Sequence, residues 1–66
     1  MKLKLNGTDS EITDGITVTG LLETLKIEPG RVAVEVNLHI VKKCDYDAHT
    51  LKDGDSVEIV NFVGGG

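Results

Sequence analysis

Sixty-six residues with a formal net charge of −4 set the first limits, because only seven lysines and arginines are spread along the chain. A nucleic-acid surface needs a basic stripe to neutralise phosphates, which this composition does not supply. The single cysteine, Cys44, excludes an intrachain disulfide, and no four-ligand Cys/His cluster offers a structural zinc site, so one small apolar core must hold one domain together.

Met1, Leu3 and Leu5 alternate with Lys2, Lys4 and Asn6, the period of a half-buried strand. Asn6-Gly7 is a strong hairpin signal, since both residues tolerate positive φ. Residues 9–13 then return as a short polar strand suited to a sheet edge. Asp14-Gly15 turns the chain, and Thr17 is a good N-cap for a helix. Val18, Leu21, Leu22 and Leu25 make one apolar stripe on that helix, which spans about nine residues. Gly20 stands where a capping box would place Glu or Gln, which leaves the first turn dependent on tertiary packing. Glu28-Pro29-Gly30 ends the helix.

Arg31 to Asn37 reads as a strand, with Val32, Val34 and Val36 on one face and Ala33 and Glu35 on the other. Asn37-Leu38-His39 is turn-like and Ile40-Val41 is a very short strand. Residues 42–52 form a polar loop with one helical turn around Asp45 to His49. Asp53-Gly54-Asp55 turns the chain into a final strand over 56–63, rich in β-branched side chains. The order predicts an α+β domain, a mixed sheet of four to five strands with one helix packed across one face. The first and last strands carry the most complete apolar pattern and are expected to be a parallel central pair. No apolar run approaches the length of a signal peptide or membrane span, so a cytoplasmic chain without a membrane partner is expected.

Few residues invite a chemical reading. Cys44, Asp45, Asp47 and His49 lie close together, but their spacing matches no closed zinc pattern and nothing orients a Cys–His pair. They read as a solvated loop with a semi-buried thiol, and His39 reads as a surface residue beside a turn. Gly64, Gly65 and Gly66 precede no helix and so make no phosphate cradle. Without side chains they form a thread that reaches roughly 10 Å when extended, thin enough to enter a narrow slot in another protein. A glycine run is also what a frayed terminus looks like. By elimination the chemically special group is the carboxylate of Gly66, a substrate for another protein's chemistry.

The strand–Asn-Gly–strand opening, Thr17-Val18 leading a Leu-Leu-x-x-Leu helix, Val-Glu-Val-Asn at 34–37, Asp53-Gly54-Asp55 and the closing Val-Gly-Gly-Gly together resemble the sulfur carrier family of thiamin biosynthesis. The likeness spans essentially the whole chain. It implies a ubiquitin-like β-grasp fold, one domain over 1–66 with 64–66 as a flexible tail. It also implies that the chain is no enzyme but a protein cosubstrate that binds no cofactor or metal itself. An adenylating enzyme related to ubiquitin activators would use ATP and Mg to convert the Gly66 carboxylate to an acyl-adenylate, with Gly64 and Gly65 threaded into it. Sulfur supplied through a cysteine desulfurase would replace AMP, leaving a thiocarboxylate carried covalently on Gly66. Thiazole synthase would then draw its ring sulfur from that group. Sister carriers share this plan: the small subunit of molybdopterin synthase, and carriers for tRNA thiolation or cysteine synthesis. A plain interaction or RNA-binding module of the same fold would instead make the glycines incidental, and would show a basic or aromatic-rich sheet face.

Strand alternation adds one more expectation. Val57 and Ile59 complete an apolar layer with Leu3, Leu5, Val34 and Val36, so Val60 and Phe62 fall on the uncovered face. There, beside Lys2 and Lys4 and next to the tail, they are a candidate docking pair. Alternatively, strand twist or a bulge tucks Phe62 under the sheet's end as core.

Overall fold

The computed structural model describes residues 1–61 of the chain. Five strands and one helix follow in the order β1 (Lys2–Leu5), β2 (Thr8–Glu11), α1 (Val18–Thr24), β3 (Val32–Val36), β4 (His39–Val41) and β5 (Ser56–Asn61), with 3-10 turns at Pro29–Arg31 and Lys43–Asp45. The strands form one sheet in the spatial order β2-β1-β5-β3-β4. β1 and β5 are parallel neighbours inside the sheet, as expected, and the other pairs are antiparallel.

Two hairpins rest on the same device. Asn6 and Gly7 have φ of 48° and 83°, the paired positive angles that match the twist of the flanking strands. Leu5 therefore faces Thr8 directly, and β2 starts at Thr8 rather than at residue 9. Asn37 and Leu38, at φ 52° and 71°, join β3 to β4 in the same way, so His39 already belongs to β4. A left-handed conformation at a residue with a Cβ costs about 1–2 kcal/mol, and asparagine adopts it more readily than leucine.

Helix α1 begins where the sequence places it. The Thr17 hydroxyl accepts the Gly20 N–H at 3.1 Å, a regular N-cap. Gly20 itself has a packing reason, since a Cβ built there would lie 2.8 Å from Ile16 Cγ1. The rest of the first turn is held from outside the helix. Val18 N–H donates to the His49 carbonyl at 3.0 Å and Thr19 N–H to the Tyr46 carbonyl at 3.1 Å. The Thr19 hydroxyl adds a bond to Asp47 Oδ1 at 2.5 Å. These orphan amides explain why residues 45–50 lie where they do. The helix ends earlier than the proline suggests: Lys26 is left-handed at φ 59°, and the Ile27 N–H closes back on the Leu22 carbonyl at 2.9 Å.

The core lies between α1 and one face of the sheet. Leu3, Val18, Leu21, Leu22, Val32, Val34, Val36, Val41 and Val57 are buried, with Leu5, Leu25 and Ile59 packed at its rim. Two further members come from the segment read as a polar loop, namely Tyr46 and Leu51. The Tyr46 hydroxyl reaches the Val32 carbonyl at a long 3.5 Å, and burial pushes its pKa above the ordinary tyrosine value. The Leu51 N–H donates to the Ile16 carbonyl at 2.8 Å, and Thr17 bridges Thr50. Segment 42–51 is thus a third layer at the helix N-terminus, not a free loop. Cys44 within it is exposed, where a semi-buried thiol was expected.

Candidate functional site

β5 is the element that leads toward the glycines, and its surroundings fix how firmly it is held. β3 pairs with it from Val36 opposite Val57 to Val32 opposite Asn61. β1 accompanies only its beginning, with Lys4 opposite Ser56 and Leu5 opposite Val57. Beyond that point Asn6 takes over. Its backbone N–H donates to the Val57 carbonyl at 2.8 Å. Its side-chain Nδ2 donates to the Ile59 carbonyl at 3.1 Å, while Oδ1 accepts the Ile59 N–H at 2.7 Å. One side-chain amide therefore replaces a missing strand residue, because it carries its donor and its acceptor on separate atoms as a backbone peptide does.

The other end of β5 is fastened by the second hairpin in the same manner. Asn37 Oδ1 accepts the Ser56 N–H at 3.0 Å, and its Nδ2 donates to Asp55 Oδ1 at 2.9 Å. The Asn37 N–H completes the clamp on the Ser56 carbonyl at 2.8 Å. Sequence reasoning saw Asn6 and Asn37 only as turn residues. The available signal was that asparagine, rather than aspartate, opens both turns. The Asp53-Gly54-Asp55 turn, with Gly54 at φ 88°, docks on β1 through Lys2 N–H to Asp53 Oδ1 at 2.7 Å.

Along β5, Val57 is buried and Ile59 packs against the core, while Val60 lies on the opposite face and is 53% exposed beside Ala33. Val60 is not beside Lys2 and Lys4, however. The parallel register sets Lys4 level with Ser56, so the two lysines sit near the start of the strand. Phe62, Gly64, Gly65 and Gly66 lie outside the described residues, and so does the choice between Phe62 as contact and as core.

The polar segment does not assemble a reactive centre. Asp47 is committed to Thr19, and Cys44 Sγ stands 3.9 Å from its neighbour Asp45 Oδ1. Asp45 and His49 instead line an open groove beside β4, together with His39, Lys42 and Lys52. Among the described residues, no three of histidine, cysteine, aspartate and glutamate stand so that they could hold a metal ion. No helix among them is long and apolar enough to cross a membrane. What the arrangement offers is a strand clamped on both sides that runs out toward three glycines.

A five-stranded mixed sheet in this order with one helix across one face defines a ubiquitin-like β-grasp domain, and a solved structure agrees over its whole length. That structure, the crystal structure of the thiamine biosynthesis protein ThiS from Geobacter metallireducens, is 40% identical and superposes with a TM-score of 0.88, each chain covered in full. The ThiS family model matches residues 3–66. The sulfur carrier protein ThiS of Bacillus subtilis is 43% identical over 65 residues, spanning 97% of this chain and 98% of its own. The thiazole synthase of Paramagnetospirillum magneticum is 46% identical over all 66 residues, but the chain spans only 20% of that protein's length. A second thiazole synthase, from Magnetococcus marinus, matches in the same proportion. The chain belongs to the ThiS family.

Proposed function

We propose that the chain is a sulfur carrier for thiamin biosynthesis, with the carboxyl group of Gly66 as the carrying atom set. The observation that carries this reading is the match of nearly the whole chain to the Bacillus sulfur carrier, beside a family-model match that runs to Gly66. A carboxylate is a poor electrophile, so the Gly66 carboxylate first attacks the α-phosphorus of ATP on an adenylating partner that supplies Mg. Pyrophosphate leaves and an acyl-adenylate remains. The terminal sulfur of a persulfide raised on a cysteine desulfurase then displaces AMP, a thiol reductant cleaves the S–S bond of the acyl disulfide so formed, and Gly66 holds a thiocarboxylate.

The thiazole synthases that contain a segment like this chain support a thiazole synthase as the receiver of that sulfur. Joining carrier and acceptor in one polypeptide would raise their effective concentration without any new contact. The carrier contributes no catalytic side chain. Its body positions the tail, Gly64 and Gly65 allow it to enter a slot that a Cβ would obstruct, and Val60 with Phe62 is a contact for the partner. The chain acts in the cytoplasm.

Incubation with the adenylating enzyme, ATP, magnesium and a sulfur donor should raise the intact mass by the difference between sulfur and oxygen. Deleting Gly65-Gly66 should abolish the change while leaving thermal unfolding unaltered. Cys44→Ser should load normally, because the thiol is exposed and the sulfur is carried on Gly66 instead. Sulfur uptake by the shortened chain, or its loss in a folded Cys44→Ser protein, would place the cargo elsewhere.

A further inference from the structure

Both clamps on β5 are made by an asparagine at the first left-handed position of a tight turn, yet the residues that follow differ. Asn6 precedes Gly7, and Asn37 precedes Leu38. Glycine takes a φ of 83° without strain, whereas leucine at 71° does not, and the Leu38 side chain is 87% exposed. Neither backbone preference nor packing in the domain accounts for leucine at that position. The difference has a chemical consequence. A main-chain nitrogen that follows an asparagine can attack that residue's own side-chain amide, and a Cβ on the attacking residue obstructs the approach. Gly7 has no Cβ, and nothing lies within 4 Å of where one would stand. Asn6 is itself exposed, and so are both of its side-chain bonds to Ile59.

We propose that Asn6 is a self-modification site, deamidated through the Gly7 nitrogen, that its conversion releases β5 at Ile59, and that Leu38 spares Asn37 the same reaction. The Gly7 nitrogen bonds to Asn6 Cγ while the Cγ–Nδ2 bond breaks, and ammonia leaves with the Gly7 amide proton. A cyclic imide remains. Water opens it, at Cγ to give aspartate or at the Asn6 main-chain carbonyl carbon to give isoaspartate. Water is consumed, ammonia is released, and nothing is oxidised or reduced. Neither product keeps Nδ2. In the aspartate product one oxygen still accepts the Ile59 N–H, but the other faces the Ile59 carbonyl, to which Nδ2 donated at 3.1 Å. Carboxylate and carbonyl oxygens only accept, so a bond becomes a repulsion. β1 offers no substitute, because its register with β5 stops at Leu5 opposite Val57. β3 still pairs along β5 as far as Asn61, so the release is local, in the segment that leads toward the glycines.

The test ages the native parent and a urea-unfolded sample side by side in mildly alkaline buffer. Peptide mass spectrometry reads the replacement of NH2 by OH at each asparagine. The two Asp-Gly pairs, at 14–15 and 53–54, can form the same ring but return from it without a change of mass. Asn6 should convert ahead of Asn37 in both samples. It should convert about ten- to a hundredfold more slowly in the native chain, since the clamp's hydrogen bonds must open before the attack. Asn37 should stay intact in the native parent and convert alongside Asn6 in native Leu38→Gly. Amide exchange at Ile59 should rise about tenfold or more in the converted fraction and in Asn6→Asp, with exchange at Val34 unchanged. Aspartate tolerates the left-handed turn, so Asn6→Asp should fold, and the converted fraction gives the same readout independently. An Asn6 that stays intact in the native chain, or that reacts as fast folded as unfolded, would overturn the proposal. So would an Asn37 left unmodified in Leu38→Gly, or Ile59 exchange at the parent's rate after conversion.

Discussion

Replacing Tyr46 tests whether segment 42–51 is part of the core. Its side chain is 3% exposed, and its carbonyl holds the Thr19 amide at the start of α1. Truncating a buried aromatic ring to alanine costs about 3–5 kcal/mol. A domain of this length has a total stability of roughly 3–10 kcal/mol, at about 0.05–0.15 kcal/mol per residue. Tyr46→Ala should therefore leave the protein at the edge of unfolding. Tyr46→Phe keeps the ring and loses only a hydroxyl whose bond to Val32 spans 3.5 Å, so its cost should stay below about 1 kcal/mol. Equilibrium urea unfolding followed by far-ultraviolet circular dichroism measures both, with the slope m held against the parent value. Amide exchange at Val18 and Thr19 should accelerate in the alanine variant, since the carbonyls of Tyr46 and His49 cap those groups. A Tyr46→Ala protein within about 1 kcal/mol of the parent would refute the packing of this segment against the helix.

Thr17→Ala should cost about 1 kcal/mol by removing the oxygen that accepts the Gly20 amide, while Thr17→Ser should be close to neutral in the same urea assay. Asn6→Gly keeps a residue suited to positive φ but removes both side-chain bonds to Ile59, so exchange at the Ile59 amide should rise well before global stability falls. Stability should also decline at alkaline pH. A hydrogen bond to Asp14 raises the Met1 ammonium above its ordinary value of 8.0, and burial raises Tyr46 above 10.0. Both groups keep their protons longer when folded, so their contributions are complete below those values and are lost as pH climbs past each. Acetylating the amine should remove the earlier loss and leave the later one.

The parts of the fold visible in the sequence are those with an uninterrupted period. Val32, Val34 and Val36 alternate strictly and all are buried, and Val18, Leu21 and Leu22 share a helix face and are buried beneath it. Paired positive-φ residues mark the first turn, and counting two loop residues would set β2 and β4 to the residue. Segment 42–51 escapes a sequence reading because its two core members, Tyr46 and Leu51, stand alone among polar neighbours, so no window shows a period. Its position is dictated by the unpaired amides of a helix far away in sequence, a tertiary cause that no local pattern records. The same limit hides the asparagine clamps on β5, whose partners lie 53 and 19 residues from Asn6 and Asn37. The exposed side of Val60 is set by alternation, whereas its distance from Lys4 depends on a parallel register that alternation leaves open.

The central claim is that sulfur used for thiazole formation passes through the Gly66 carboxyl group. It is tested most directly by loading the chain with a heavy sulfur isotope, removing free sulfide, and supplying it to thiazole synthase with the remaining substrates. Mass spectrometry of the C-terminal peptide fixes where the label starts, and mass spectrometry of the thiazole shows where it ends. Labelled product should form in proportion to the label lost from Gly66. Unlabelled thiazole formed while Gly66 keeps its heavy sulfur would contradict the claim.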